Sequence, residues 1–477
     1  MNRNVLLMDY YELTMCNSYF LNGMHEKQAV FDLFFRTIPD NGGYAIYCGL
    51  ESIVQYIKEF KFGKEEIEYL KSKKDFDPSF LEYLKNFKFK GDIYSFKEGS
   101  VIFPLESVLC VKGNLVECQL IETALLTFFN HQSLIATKSA RIVRAALNKT
   151  VMEFGARRAQ GNDAATLGAR ASYIAGCIGT SNVYADFLYN IKALGTMAHS
   201  YVQSFSSEYE AFCAYAKTYP DNTLLLVDTY NTLKEGIPNA IRVHNEILKP
   251  LGKYLKGIRI DSGDLAYLSR EARKMLDKAG LYDTKITVSN SLDEYLIISL
   301  NEQGAKIDSF GVGERLITAK SDPVFGGVYK LSAIELDSHL TPSIKVSDNP
   351  KKTTTPGFKK VYRIFDENSK AIADLITLRN EKINPSLPYV LFDPLFPYKE
   401  KVIKDFKLEE KLIQIFKKGK LVYELPNIES IRKYCKEELG TMWEEVLRFD
   451  SPHEYYVDLS KPLYNLKQNL IKKHKHD

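Results

Sequence analysis

The sequence predicts an α/β fold: an irregular (β/α) barrel, with an α+β region before it and a segment that loses the alternation after it. Three observations carry this expectation. Between residues 150 and 313, about seven short apolar runs alternate with helical patterns of roughly 10–15 residues, as parallel βα units require. Most of these runs stop at a charged, hydroxyl or glycine residue, which puts polar groups at the carboxyl edge of a sheet, where α/β folds bind ligands. The alternation is missing on both sides, so the domains are expected at 1–130, 131–330 and 331–477. No Gly-x-Gly-x-x-Gly opens the first unit, which weakens the alternative of an open dinucleotide-binding sheet.

The first segment mixes helices and strands. Residues 10–22 read as a helix with Asp9 as a possible cap, and 29–35 as a strand. Residues 50–59 and 64–70 read as helices, 101–105 and 108–113 as short strands, and 119–129 as a strongly apolar helix. The repeating grammar then begins. Residues 131–149 read as a helix, 151–154 as a strand and 163–177 as a helix. Residues 192–198 read as extended and end at His199, 224–227 end at Asp228, 258–260 end at Asp261, 286–288 end at Ser289, and 307–310 end in Gly311-Val312-Gly313. After 330, a Thr-rich loop spans 350–357, a strand spans 361–365, and a helix is expected around 427–438. The Lys-rich end, 472–477, reads as a frayed, solvated terminus.

Composition narrows the function classes. The 477 residues are 45% hydrophobic and 26% charged, an ordinary globular balance. A net charge of +4 argues for neither nucleic acid nor membrane. No run of about 18 apolar residues occurs, and the start, Met1-Asn2-Arg3-Asn4, lacks a signal pattern. Seven scattered cysteines with no C-x-x-C pair read as reduced thiols. A cytoplasmic enzyme is the default expectation.

The stretch Lys256-Gly257-Ile258-Arg259-Ile260-Asp261-Ser262-Gly263-Asp264-Leu265 concentrates the chemistry. Two carboxylates, a hydroxyl and a glycine stand where a buried strand hands over to a helix. Taken alone, such residues are as often N-caps. The recurrence decides: successive strand ends carry Arg157, Thr180 and Ser181, His199, Asp228, Arg259 with Asp261, Ser289 and Asn290, and Gly311 and Gly313. In a barrel these face one mouth. Asp228 and Asp261 could both be caps; together they could hold a sugar's hydroxyls or a metal, and oppose a developing positive charge. Asn290 and the Gly311–Gly313 turn suit a phosphate, because glycine lets backbone N–H groups approach it, although a plain tight turn would also use them. A lone His is more often a satisfied core residue, but His199 follows the small residues of Gly195-Thr196-Met197-Ala198. Arg158 reads as structural.

Several motifs, in order, resemble the nicotinate phosphoribosyltransferases. They are Asp9-Tyr10-Tyr11-Glu12-Leu13-Thr14-Met15, Phe154-Gly155-Ala156-Arg157-Arg158-Ala159-Gln160-Gly161, Gly195-Thr196-Met197-Ala198-His199-Ser200, Asp228-Thr229-Tyr230, the 257–265 stretch and Thr354-Thr355-Pro356-Gly357. The resemblance runs from about residue 5 to 365; the last hundred residues add little to it. It implies a type II phosphoribosyltransferase, an irregular (β/α) barrel plus an α+β domain built from the N-terminal and C-terminal segments, that joins nicotinate to 5-phosphoribosyl 1-diphosphate, releasing diphosphate and nicotinate mononucleotide. ATP hydrolysis would be coupled through a phosphohistidine at His199. Arg157, Thr196 and Phe154 match nicotinate-holding positions, Arg259 a ligand-binding arginine, Asp228 and Asp261 the pair near the ribose, and Thr354 a contact to phosphoribosyl diphosphate. Tyr11 matches a tyrosine lent by the second subunit of a homodimer. Mg²⁺ is expected on substrate oxygens, with no dedicated protein cage.

Substrate choice follows from charge. The related nicotinamide enzymes carry Asp after a Gly-Thr pair, whereas Gly179-Thr180 is followed here by Ser181. An Asp would repel nicotinate's carboxylate and Ser does not, so the acid is expected over the amide. Nicotinamide and quinolinate phosphoribosyltransferases are the enzymatic alternatives, and a non-catalytic barrel binding a phosphorylated metabolite is the alternative of another class. No strand-end Lys supports a Schiff-base barrel.

Overall fold

The computed structural model describes residues 5–475. The start at Met1–Asn4, where no signal pattern was expected, and the last two residues of the expected frayed end, His476 and Asp477, lie outside the described residues. The chain divides into two compact units, Met1–Thr137 with Val324–Asp477, and Lys138–Pro323.

The second unit is organised on five parallel strands in the order Thr150–Glu153, Ser309–Val312, Lys285–Ser289, Gly257–Ile260 and Leu224–Leu226. Single parallel bridges from Glu153 to Thr180 and from Thr180 to Ala193 add two further positions beyond Glu153. The seven expected strand positions are therefore present, two of them reduced to one bridge each. That reduction is the irregularity of the barrel. One face of the sheet is fully buried, with Leu225, Ile258, Ile260, Ile286, Val288 and Phe310 inaccessible. Helices Asn162–Ile174, Glu208–Thr218, Leu265–Lys278 and Glu294–Glu302 return the chain between strands.

The 192–198 segment is a correction. It makes one bridge, at Ala193, and His199 opens the short helix His199–Gln203 rather than ending a strand. Ala193, Gly195 and Ala198 are weak strand formers and offer little to pack on a pleated surface.

The first unit is antiparallel except for the parallel pair Ala371–Leu378 with Val457–Leu459, and draws on both chain ends. Its seven-stranded sheet has the order His339–Pro342, Gly327–Leu336, Gln28–Phe35, Leu109–Asn114, Asp92–Ser95, Ile413–Lys417 and Lys420–Leu421. A second sheet joins Lys407–Glu410, Lys359–Phe365, Ala371–Leu378 and Val457–Leu459. Buried Arg363 ties that sheet together, donating to Asp374 at 2.8 Å and to Glu438 at 2.7 Å. The two helices expected at 119–129 and 131–149 are one, Glu122–Ala145, after a short turn Leu115–Gln119. Its polar residues at the join are held by tertiary partners: Asn130 accepts from Gly327 N–H at 2.8 Å, and Gln132 donates to Ser52 at 3.0 Å. This continuous helix, and the pairing of 327–336 with 28–35, move the boundaries from 130 and 330 to 137 and 323. At the C-terminus, helix Ile428–Thr441 matches the expected one. The helix Lys461–Lys475 corrects the expected fraying as far as Lys475.

Candidate functional site

The 257–265 stretch separates its two aspartates by role. Asp264 is the N-cap of Leu265–Lys278 and accepts from Tyr267 N–H at 2.9 Å, which is the ordinary structural use of such a residue. Gly263, at φ +80°, makes the turn between strand and cap. Asp261 is thereby left at the strand end with other partners. Arg259 Nη2 donates to its Oδ1 at 3.1 Å, and the Ser289 hydroxyl donates to the same oxygen. Arg259 Nε also donates to Ser289 Oγ at 2.9 Å. Asp261 Oδ2 carries no hydrogen bond among the described residues.

Asp228, at the end of Leu224–Leu226, is the hub. Its carboxylate is 1% exposed. Oδ2 accepts from the Asp261 N–H at 2.9 Å and from Ser262 Oγ at 2.6 Å. Oδ1 lies 3.1 Å from His199 Nε2. A buried carboxylate on Nε2 favours the tautomer with the proton there, leaving the lone pair on Nδ1. The imidazole is 39% exposed, so Nδ1 is open to a ligand while Nε2 is held. The Arg259 guanidinium lies 5.8 Å from the centroid of the Phe154 ring. Phe154, Arg259, Ser289, Asp261, Asp228 and His199 thus form one chain of contacts across successive strand ends.

Arg157 sits apart from that chain. It is exposed on the short turn Ala156–Arg158 and makes no ion pair or side-chain hydrogen bond among the described residues. Its neighbour Arg158 pairs with Glu314 at 3.7 Å, in line with a structural role. Thr196 Oγ1 and Thr229 Oγ1 are buried without a hydrogen-bond partner, which is costly unless something else fills the gap. Ser181 is exposed, and its N–H donates to the Glu153 carbonyl at 2.8 Å.

Gly311 is explained at least in part by packing. A Cβ there would stand 2.5 Å from the Phe154 ring, and one at Gly313 would stand 3.1 Å from the Phe154 carbonyl oxygen. The helix after them, Glu314–Ile317, is only four residues long. Asn290 follows the strand Lys285–Ser289 at φ 91°.

Glu153 was not singled out from sequence. It is wholly buried, at the end of its strand, with no ion pair among the described residues. Its carboxylate accepts from the Gly155 N–H and, at 2.5 Å, from Thr180 Oγ1, which in turn accepts from Asn182 N–H at 3.0 Å. Burial raises its pKa. It fixes the start of the 155–158 turn and the 180–182 segment together. The signal available was an acid inside an apolar strand.

Tyr11 and Thr354 belong to the other unit. The Tyr11 ring is 44% exposed, on helix Tyr10–Leu21, and burial with the charge of Glu122 pushes its hydroxyl pKa up. Thr354 is buried, and its hydroxyl accepts from Lys345 N–H at 2.9 Å. Among the described residues no group of three His, Cys, Asp or Glu side chains is arranged to hold a metal.

Comparison with known proteins accounts for almost the whole chain. Residues 6–130 match the model of the nicotinate phosphoribosyltransferase N-terminal domain, 149–377 the family model, and 358–467 the C-terminal domain. The chain is 46% identical to nicotinate phosphoribosyltransferase of Bacillus subtilis, covering 97% of this chain and 94% of that one. It is 30% identical to the Homo sapiens protein of the same name, covering 98% and 96%. The crystal structure of human nicotinic acid phosphoribosyltransferase superposes with a TM-score of 0.86 at 28% identity, over 98% of this chain and 100% of that one. A nicotinate-nucleotide pyrophosphorylase from Pyrococcus furiosus shares the fold, with a TM-score of 0.71 at 23% identity over 92% and 96%.

Proposed function

The chain belongs to the nicotinate phosphoribosyltransferase family, and from that membership we propose that it makes nicotinate mononucleotide and diphosphate from nicotinate and 5-phosphoribosyl 1-diphosphate, with ATP hydrolysis coupled through His199. The observation that carries the ATP step is the His199–Asp228 contact backed by the Asp261 N–H and Ser262.

In the transfer step, the pyridine nitrogen's lone pair forms the bond to the anomeric carbon. The bond from that carbon to the diphosphate oxygen breaks, and its electron pair leaves with diphosphate. The ring oxygen and anomeric carbon share positive charge in the transition state, and a preorganised carboxylate lowers that energy. The unpartnered Oδ2 of Asp261 suits that task, with Asp228 holding Asp261 in place. Phe154 stacks the pyridine ring. Arg157, whose planar fork has no protein partner, pairs with the nicotinate carboxylate, and the unsatisfied Thr196 hydroxyl gains an acceptor there. Arg259 steadies Asp261 and reaches the same ligand. Ser181 admits the carboxylate where an acid would repel it. The phosphate end falls to Asn290 and the backbone of Gly311 and Gly313, at the ends of adjacent strands. Thr354 contacts phosphoribosyl diphosphate, and Tyr11 is lent by the second chain of a homodimer. Mg²⁺ carried on the diphosphate oxygens would neutralise charge as that group leaves.

In the ATP step, the lone pair on Nδ1 attacks the γ-phosphorus and the bridging bond to ADP breaks. Asp228 stabilises the cationic ring through the Nε2 proton. The test is product analysis with nicotinate and phosphoribosyl diphosphate, with and without ATP. Nicotinate mononucleotide should form and ATP should lower the KM for phosphoribosyl diphosphate, while nicotinamide should not react. Conversion of nicotinamide in preference to nicotinate, or no product from either, would contradict the proposal.

A further inference from the structure

Glu208 is a buried acid to which the mechanism above assigns no task. It opens helix Glu208–Thr218, is 4% exposed, and has no ion pair among the described residues. Its Oε2 accepts from the Asn239 carboxamide at 3.0 Å, and its Oε1 is buried without a hydrogen-bond partner. Burial raises its pKa, and the charges of Glu235 and Asp228 add to the rise. The field of the helix N-terminus offsets part of the cost of placing an acid there.

Its position joins the two elements that present the His199–Asp228 pair. On one side, helix His199–Gln203 runs into Glu208–Thr218 through Ser204–Ser207. Tyr201 of the first helix packs edge-on against Tyr215 of the second, with ring centroids 5.9 Å apart. On the other side, Asn239 stands on helix Ile237–Val243, which begins just past Gly236. A Cβ at Gly236 would stand 1.9 Å from the Val227 carbonyl oxygen, so this backbone is pressed on the residue before Asp228. The Glu208–Asn239 bond is the inner of two ties between these sides. The outer one, from the Tyr209 hydroxyl to Glu246, is exposed.

We propose that Glu208 is a positioning residue for the ATP step: through Asn239 and Gly236 it fixes the Asp228 carboxylate, and through its own helix it fixes the His199 imidazole, keeping the two at 3.1 Å. That contact sets the tautomer in which Nδ1 is the nucleophile, and a rigid framework supplies the alignment that attack requires. The effect on catalysis rests on the ATP step proposed above; the effect on the His199–Asp228 contact does not.

The test compares Glu208→Ala, Asn239→Ala, their double variant and Glu208→Gln with the unmodified chain. Tyr209→Phe, which cuts the outer tie, is the control. Quench-flow with peptide mass spectrometry follows phosphorylation of His199 by ATP, and steady-state kinetics follow nucleotide formation with and without ATP. Each Ala variant should be phosphorylated on the order of 10²-fold more slowly, the cost of about 1 Å of misplacement, while ATP-independent turnover falls far less. The double variant should be no slower than either single, because all three remove one bond. Glu208→Gln keeps an acceptor for Asn239 and should keep the rate, as should Tyr209→Phe. Crystal structures should show the His199–Asp228 contact opened in the Ala variants and kept in Glu208→Gln. Melting curves check that each variant is folded, and Asn239→Ala, which removes no acid, decides if Glu208→Ala does not fold. Full-rate phosphorylation in either folded Ala variant, additive losses in the double variant, loss in Glu208→Gln, or an equal loss with and without ATP would overturn the assignment. No phosphate on His199 of the unmodified chain would overturn the ATP step instead; the crystal distances then decide whether Glu208 positions the pair.

Discussion

Asp228 and Asp261 look interchangeable in sequence, but their oxygens do different work. Both oxygens of Asp228 are taken by protein groups, whereas Asp261 keeps Oδ2 for a ligand. Replacing Asp228 by Asn should let the carboxamide oxygen satisfy Ser262 and the Asp261 N–H, turning its NH₂ toward His199 Nε2. That nitrogen must then accept, and the proton moves to Nδ1, the nitrogen needed as nucleophile. ATP-coupled turnover is expected to fall by on the order of 10⁴, the scale seen when an aspartate that sets a catalytic tautomer is amidated. The ATP-independent rate should fall far less, and steady-state kinetics with and without ATP separate the two. Glu153 gives a second case. In Glu153→Gln, the buried amide NH₂ faces either the Gly155 N–H or Thr180, leaving a donor unsatisfied at about 1–3 kcal/mol. The expected outcome is lower thermal stability with a raised KM for nicotinate; an unchanged nicotinate KM would remove Glu153 from the positioning role. The strand-end residues were legible because each interrupts an apolar run. Glu153 was not, because it lies inside such a run, and only the fold reveals that it has no ion pair among the described residues.

Helices and strands were legible to the extent that burial follows a simple period. The parallel strands at 224–226, 257–260 and 285–289 are short apolar runs with amphipathic helices beside them, and the sequence marks both. The C-terminal strands were largely missed. Glu400–Ile403 and Lys407–Glu410 carry charges at most positions and pair through backbone more than through apolar side chains. The helix Glu122–Ala145 was split in two because its polar residues are buried by tertiary partners, which a local pattern does not show. Helix Tyr10–Leu21 supplies a prediction at this scale. Glu12 on it is fully buried, accepts from the Thr123 N–H at 3.0 Å and has no ion pair among the described residues; burial, chiefly, raises its pKa to about 7 from 4.5. The folded chain therefore keeps a proton that the unfolded chain loses between pH 4.5 and 7, and stability falls as pH rises through that window. The integrated effect is about 3 kcal/mol. Glu12→Gln should remove this slope, so its stability relative to the unmodified chain should rise by that amount from pH 4.5 to 8 in denaturant titrations. Parallel curves for the two proteins would contradict the assignment.

At the scale of the whole molecule, the chain's two ends close one mainly antiparallel unit, and the middle forms the parallel unit that carries His199, Asp228 and Asp261. The α/β class was legible from where the βα alternation starts and stops, and the joining of both ends from the family resemblance alone. The pairing order was not, since residues 28–35 meet 327–336 across three hundred residues. The proposed homodimer places Tyr11 of one chain in the site of the other, and mixing variants tests it. Tyr11→Ala and His199→Ala, each deficient alone, should regain about a quarter of the normal sites after random re-association, because half of the dimers are mixed and each has one intact site. No recovery from a verified mixed dimer would mean that each site is built from one chain. The central claim is that His199 takes a phosphoryl group from ATP on Nδ1 while Asp228 holds Nε2. Phosphorus NMR with peptide mass spectrometry, on protein incubated with ATP and then with both other substrates, tests it most directly. Phosphate on His199 Nδ1 that disappears as nicotinate mononucleotide forms is the predicted result; product forming with ATP hydrolysis and no label ever on His199 would contradict it.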